Sequence, residues 1–242
     1  MGRPLFLNAT EMVTFHVGKD GADETFTVHK ESATFYSPVL KAAFDTGTRT
    51  YRLEDVRPNA FRLFIQWLYS GEFTTIHEAD LATEDINSEK AVRIIKHCED
   101  RDLDMVQLWL LAEKLKIPRL QNDVMHRFWE HFENQGEKHD GKFWSTKWIP
   151  YIYEEGRTAH DSPLRHLAVD FVLYEVYVNW PPEHPKHFPH QMLLELSAQV
   201  GLIPVEGDMT GREFTHTRVD RNYMVAEGEP WGEEEIELSN QL

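Results

Sequence analysis

Over residues 12–30 apolar and polar positions alternate with a period close to two. Met12-Val13-Thr14-Phe15-His16-Val17 and Thr25-Phe26-Thr27-Val28 are β-branched and aromatic, a composition that suits a pleated, half-buried ribbon. Gly18-Lys19-Asp20-Gly21-Ala22-Asp23 supplies turn residues between them. The pattern predicts a β-hairpin. The period then changes: Phe35, Val39, Leu40, Ala43 and Phe44 fit helical material over 31–44, divided by Ser37-Pro38 into two short helices. Tyr51-Arg52-Leu53 is a candidate third strand. Pro58 opens a further helix where no backbone donor is needed. Phe61, Phe64, Ile65 and Leu68 follow at helical spacing, and Gly71 stands where a C-terminal cap belongs. Trp67 and Tyr69 lie off that stripe, which predicts burial on more than one side.

Residues 73–101 are polar, weakly helical around 91–95, and read as an insertion. The clearest helical stripe is Met105, Leu108, Leu111, Ala112 and Leu115 over 104–116. Pro118 ends it and starts another helix, with Leu120, Val124, Phe128 and Phe132 at every fourth position. Joined by Lys116-Ile117-Pro118, the two form a helical hairpin whose stripes must be covered, most simply by the module before them. Residues 133–148, with Trp144 and Trp148, read as a polar linker that touches the body. Ser162-Pro163 starts a helix with Leu164, Leu167, Phe171, Tyr174 and Val178 on one face, and Pro181-Pro182 stops it. A last helix is predicted over 189–200, capped by Gly201. From 206 to 242 there are ten acids against three bases and no periodicity, so this stretch reads as a disordered acidic tail.

Composition narrows the function classes. With 41% apolar and 12% aromatic residues in 242 positions, a packed core is expected. The net charge of −16 opposes phosphate backbones and anionic lipid, and no Lys/Arg cluster offsets it. Neither nucleic acid nor membrane is an expected partner. The start of the chain lacks an apolar signal stretch, and no apolar run reaches the roughly 20 residues that span a bilayer. One cysteine, Cys98, makes neither an intrachain disulfide nor a zinc finger, so a cytoplasmic or nuclear compartment is expected.

Candidate chemistry is sparse. His184, His187 and His190 are the densest histidine group, but Pro181, Pro182, Pro185 and Pro189 favour an extended segment with no set ring directions. His126, Glu130 and His131 share a helix without the spacing of a zinc protease. Cys98 is flanked by His97 and Glu99, yet adjacent helical residues do not face one another. No Gly-x-Ser-x-Gly elbow or phosphate loop is present. Phe35, Phe44, Phe61, Phe64 and Trp67 read as core rather than as cofactor contacts. No catalytic, cofactor-binding or metal-binding residue is expected.

The run Phe26-Thr-Val-His29-Lys30, then Ser37-Pro38-Val39, Ala43-Phe44, Phe61…Trp67-Leu68-Tyr69-Ser70-Gly71 and Ala112-Glu113-Lys114-Leu115-Lys116-Ile117-Pro118 resembles the BTB/POZ domain, most closely the BTB proteins of fungi. The resemblance covers residues 12–133. It implies an α+β fold, a small sheet capped by a cluster of helices, here followed by C-terminal helices. The implied organisation is an N-terminal extension over 1–11, a BTB/POZ domain over 12–133 with the insertion at 73–101, a helical extension over 134–204 and the tail over 205–242. It implies a non-enzymatic protein–protein interaction module. Many such domains pair with themselves or with other BTB chains through the first helix after the His-Lys pair, which makes Glu31, Ser32, Thr34, Phe35 and Ser37 the candidate dimer face. Others dock cullin-3 as ubiquitin-ligase adaptors, with Phe44, Asp45, Arg49 and Tyr51 as the candidate loop, or recruit corepressors as transcription scaffolds. Two departures stand out. The family commonly places an Asp at the start of the first core strand, facing a basic residue of the His-Lys pair, and here the aligned position is Met12 with Glu11 beside it. The loop Asp45-Thr-Gly-Thr-Arg-Thr50 also lacks the hydrophobic-x-Glu triplet of cullin-3 adaptors.

Overall fold

The computed structural model of the chain describes residues 4, 6–8, 10–19, 21, 23–75, 88–139, 145–175, 185–201 and 223–227. The chain divides into two compact units, one containing Met1–Phe73 and Leu111–Leu120, the other Thr74–Leu110 and Gln121–Met224.

In the first unit β1 (Met12–Val17) is central in a three-stranded sheet ordered β2-β1-β3. β2 (Glu24–His29) runs antiparallel to it, with Met12 opposite His29 and Val17 opposite Glu24. β3 (Thr50–Leu53) runs parallel on the other edge, pairing Thr14 with Thr50 and Val17 with Leu53. The period of two in β1 sends Val13, Phe15 and Val17 inward, each at most 1% exposed. Phe15 meets the rings of Phe44 at 5.8 Å and Phe61 at 5.0 Å, so the apolar face of the sheet is sealed by helices.

Those helices are α1 (Lys30–Tyr36), α2 (Pro38–Asp45) and α3 (Pro58–Ser70). The break between α1 and α2 follows from Pro38, whose ring drives the preceding residue out of the helical region. Ser37 adopts φ −120°, ψ 110°. Its buried hydroxyl then works twice: it accepts from the Leu40 amide at 3.1 Å, capping α2, and donates to the Leu115 carbonyl at 2.7 Å. In α3 Ala60, Phe61, Leu63, Phe64, Trp67 and Leu68 are all buried, a face wider than the predicted stripe. Gly71 closes it at φ 79°, its amide bonded to the Trp67 carbonyl.

Helix α4 spans Ser88–Lys114, so it begins well before the apolar stripe that announces it in the sequence. Its end is a Schellman turn: the Ile117 amide reaches the Ala112 carbonyl at 2.8 Å and the Lys116 amide the Glu113 carbonyl at 3.0 Å. Lys116 occupies the left-handed position at φ 55°, the one non-glycine residue to do so among those described. Pro118 then opens α5 (Pro118–His139), which continues through residues expected to form a linker.

In the second unit Met105, Val106, Leu108 and Trp109 of α4 are buried on every side, as are Val124, Met125 and Phe128 of α5. A short helix that the sequence pattern does not suggest, α6 (Trp148–Ile152), inserts Trp148 between Phe128 and Phe171, with ring centroids 5.8 and 6.2 Å away. Phe171 belongs to α7 (Pro163–Glu175), and α8 (His190–Gly201) lies against α7. Ser162 precedes α7 as expected, but its buried hydroxyl makes no cap bond. Tyr223, inside the stretch read as a disordered tail, is fully buried. Phe132, Trp144, Tyr174, Val178 and His184 lie outside the residues whose side chains are described.

Ser37→Ala removes a cap and a buried bond together, so urea unfolding should show a loss of about 2–3 kcal/mol, whereas Ser37→Thr keeps most of it. Lys116→Gly should raise stability by about 0.5–1 kcal/mol, because glycine carries no Cβ penalty at positive φ; a loss of stability would show that the Lys116 side chain contributes more than its strain costs.

Candidate protein-interaction surface

The strand-to-helix junction is held by backbone and side-chain bonds from three directions. The Lys30 amide donates to the Glu11 carbonyl at 2.9 Å, and Lys30 Nζ pairs with Glu11 Oε1 at 3.2 Å. The family's acidic partner for the basic residue is therefore supplied by Glu11, one position before the aligned Met12; the longer glutamate side chain spans the extra step. Tyr69 of α3 completes the junction. Its hydroxyl accepts from the His29 amide at 3.0 Å and lies within hydrogen-bond distance, 2.9 Å, of His29 Nδ1. By helical spacing Tyr69 lies off the apolar stripe; its polar tip is what gives it a place.

Helix α1 buries Ser32 and Ala33 and turns Glu31, Thr34 and Phe35 outward. Phe35, a core residue by the sequence reading, is instead 41% exposed. The spacing explains it: with residues 32, 33 and 37 committed inward, position 35 falls on the opposite side of a seven-residue helix. Its ring rests edge-on against Tyr36 at 4.8 Å, which in turn sits 4.8 Å from the buried Trp67.

From α2 the positions at helical spacing 38, 41, 42 and 45 face the same side. Pro38, Lys41, Ala42 and Asp45 join Glu31, Thr34 and Phe35, with Pro4 and Leu7 of the N-terminal segment, to line an open groove of about 530 Å³. That segment is tethered by the Asn8 amide, which donates to Glu31 Oε1 at 2.8 Å, and by Phe6, whose ring meets His29 edge-on at 5.2 Å. Leu7 is 89% exposed. Glu31 Oε2 is shielded from water with no hydrogen-bond partner, a carboxylate oxygen with unused accepting capacity at the groove wall.

The sequence-derived candidates thus separate. Glu31, Thr34 and Phe35 converge on the groove. Ser32, Ser37 and Phe44 are buried within the chain and present no surface to a partner: Ser37 is spent on the α2 cap, and Phe44 packs on Phe15 and Tyr51. In the 44–51 loop Asp45 and Arg49 are exposed, while Tyr51 is half-buried against Phe15 at 6.0 Å. Pro4, Leu7, Pro38 and Lys41 are not among the candidates drawn from sequence; the spacing of 38, 41, 42 and 45 on one helix is the signal that could have found the α2 residues.

The residues weighed for chemistry fall elsewhere. Cys98 is buried, and desolvation pushes its thiol up from the ordinary value, which suppresses the thiolate. His131 lies in the second unit beside the buried ion pair of Arg101 and Asp102, where Arg101 Nη2 and Nε reach Asp102 Oδ1 at 2.8 and 3.0 Å. Arg101 Nη2 also contacts His131 Nε2. A guanidinium only donates, so Nε2 is the unprotonated nitrogen of a neutral ring. His187 bonds to Thr146 at 2.7 Å. Among the described residues no three His, Cys, Asp or Glu side chains are grouped to hold a metal, and no helix is long and apolar enough to cross a membrane.

Burial, and then the Arg101 charge, lower the His131 pKa from 6.5 to about 2. The unfolded chain takes up a proton below about pH 6.5 that the folded chain refuses, so this residue's contribution falls as pH falls. Its size is about 2 kcal/mol between pH 7 and 5. Burial of Asp102 raises its carboxyl and acts in the opposite sense, so the comparison is with His131→Gln, which retains Asp102. Urea unfolding at several pH values should give a shallower acid slope for the variant; equal slopes would remove His131 from the account.

A family model for the BTB/POZ domain matches residues 10–131, half of the chain. No curated protein matches the chain.

Proposed function

From the premise that the chain belongs to the BTB/POZ family, we propose that it pairs with a second copy of itself, or with another BTB chain, through the outer face of α1, and works without enzymatic activity. The observation that carries this reading is Phe35, a large aromatic side chain 41% exposed and lining an open groove of mixed apolar and charged residues. Covering Leu7, 89% exposed, would supply about 1.5–3 kcal/mol and covering the remaining 41% of Phe35 about 1 kcal/mol, and aromatic anchors of this kind dominate interface energetics. Glu31 Oε2 would gain a donor from the partner. The N-terminal segment, already pinned to Glu31, extends the face towards the roughly 800 Å² per partner of a standard interface.

Docking of cullin-3 through 44–51 has less in its favour, because of the four candidates Phe44 is committed to the core and Tyr51 is half-buried, which leaves Asp45 and Arg49 fully outward. A scaffold that recruits corepressors would use the same α1 face, so it is a use of the pairing rather than a rival to it. The reduced, buried Cys98 suits a cytoplasmic or nuclear setting.

Light scattering should give the mass of a dimer at micromolar concentration, and Phe35→Glu should give a monomer with an unfolding midpoint close to that of the parent chain, since the side chain is exposed. A parent chain that is monomeric, or a Phe35→Glu variant that remains dimeric, would sink the reading.

A further inference from the structure

β2 is an edge strand: β1 lies on one side of it, and among the described residues no strand lies on the other. The ladder fixes which of its main-chain groups face outward. The Lys30 amide donates to the Glu11 carbonyl and the Thr14 amide to the Arg49 carbonyl beside β3. Residues 24, 26 and 28 therefore bond inward to β1, and residues 25, 27 and 29 point away from it. The His29 amide is taken by the Tyr69 hydroxyl. Among the described residues the amides and carbonyls of Thr25 and Thr27 have no partner. Edges of this kind are commonly blunted by proline, lysine, a bulge or a covering segment. Residues 24–28 contain no proline or lysine, their register with β1 runs without a bulge, and Thr25 and Thr27 are exposed. Their one charge, Glu24, is engaged by Arg62. The opposite edge, β3, is shorter and carries Arg52.

We propose that this edge pairs antiparallel with the same edge of a second copy, joining two three-stranded sheets into one about a two-fold axis. Tyr69 sets the register. It closes the edge at His29, and antiparallel self-pairing of the remaining 24–28 is centred on Phe26. Thr25 then faces Thr27 of the second copy, and Thr27 faces its Thr25, so every outward amide and carbonyl of the pair is satisfied. Centring on Thr27 would call on the His29 amide that Tyr69 already holds, and centring on Thr25 would pair Thr27 with Asp23, outside the strand. Phe26, half-buried against Phe61 at 5.0 Å, meets its own counterpart in the closer, non-hydrogen-bonded position, where cross-strand aromatic pairs stabilise a sheet. Glu24 falls opposite Val28, so the two acids stand at opposite ends of the paired stretch. A second copy thus matches the edge in donors, acceptors and charge. The contact is small, so the pairing is weaker than a standard interface and depends on concentration. It uses none of the α1 face, so either proposal can fail without the other.

The test is sedimentation equilibrium of the full-length Phe35→Glu chain, in which pairing through α1 is removed, from about 10 μM to about 1 mM. The mean mass should climb from monomer towards dimer over that range, and the Thr25 and Thr27 amides should exchange hydrogen more slowly as concentration rises. Thr25→Lys with Thr27→Lys, at two exposed positions, sets like charges opposite each other and should hold the chain monomeric with its unfolding midpoint unchanged. Thr25→Lys with Thr27→Glu sets opposite charges face to face in this register and like charges together in the two neighbouring ones, so it should pair about two-fold more tightly or better. A chain that stays monomeric to about 1 mM, association indifferent to the two lysines, or weaker pairing by the Lys/Glu variant would overturn the proposal. If Phe35→Glu stays dimeric at micromolar concentration, which sinks the α1 reading, loss of that dimer with the two lysines supports the β2 edge and its persistence overturns it.

Discussion

The hydroxyl of Ser37 is the point on which the first unit turns. Pro38 denies the helical conformation to the residue before it, and a chain broken there leaves amides at the start of α2 without partners. One oxygen answers that need by accepting from Leu40, and its proton reaches the Leu115 carbonyl beyond the last residue of α4. The same atom thus starts one helix and fixes it to the end of another, 78 residues away. The carbonyl it satisfies lies in a helix terminus that has just run out of intrahelical donors. The Schellman turn at Lys116 and the proline after it set where that terminus falls. Two prolines and one serine therefore fix the corner between α4 and α5 against the strand–helix module, where Lys114 Nζ also pairs with Asp55 at 3.0 Å and the Arg119 guanidinium lies over the Trp67 ring.

That economy explains why so much of the fold is legible in the amino-acid sequence. Prolines, a capping serine, Gly71 and the Lys-Ile-Pro corner each act on the backbone locally, so their meaning survives without knowledge of their neighbours. The period of two in β1 and the apolar positions of α3 are local signals of the same kind. The features that sequence does not reveal depend on distant partners or on elements too short to show a pattern. The extent of α4 is hidden because its N-terminal half is polar, and α6 because five residues are too few to show a period. Tyr69 is unreadable because its value lies in a hydroxyl that meets His29 40 residues away. Glu11 replaces the expected aspartate through reach rather than alignment. Tyr223 sits in an acidic stretch where composition argues for solvation, and there a buried aromatic ring whose hydroxyl donates to Asp170 outweighs that argument locally.

The candidate surface follows a different logic, and Phe35 and Phe44 show it. Both are aromatic, both lie in the strongest family motif of the chain, and no property of either side chain separates them. Their fates are set by phase. In α2, Phe44 shares the inward side with Leu40 and seals the sheet; in α1, Ser32, Ala33 and Ser37 claim the inward side and Phe35 is left outside. A hydrophobic count treats the two as equal contributions to a core. Only one of them contributes there, and the other leaves apolar surface uncovered next to the exposed Leu7 and an acidic oxygen with unused capacity. Fold-defining residues are those whose hydrogen bonds and rings close within the chain. Side chains whose requirements remain open after folding are of another kind, and among the described residues Phe35 and Glu31 of α1 are two of them.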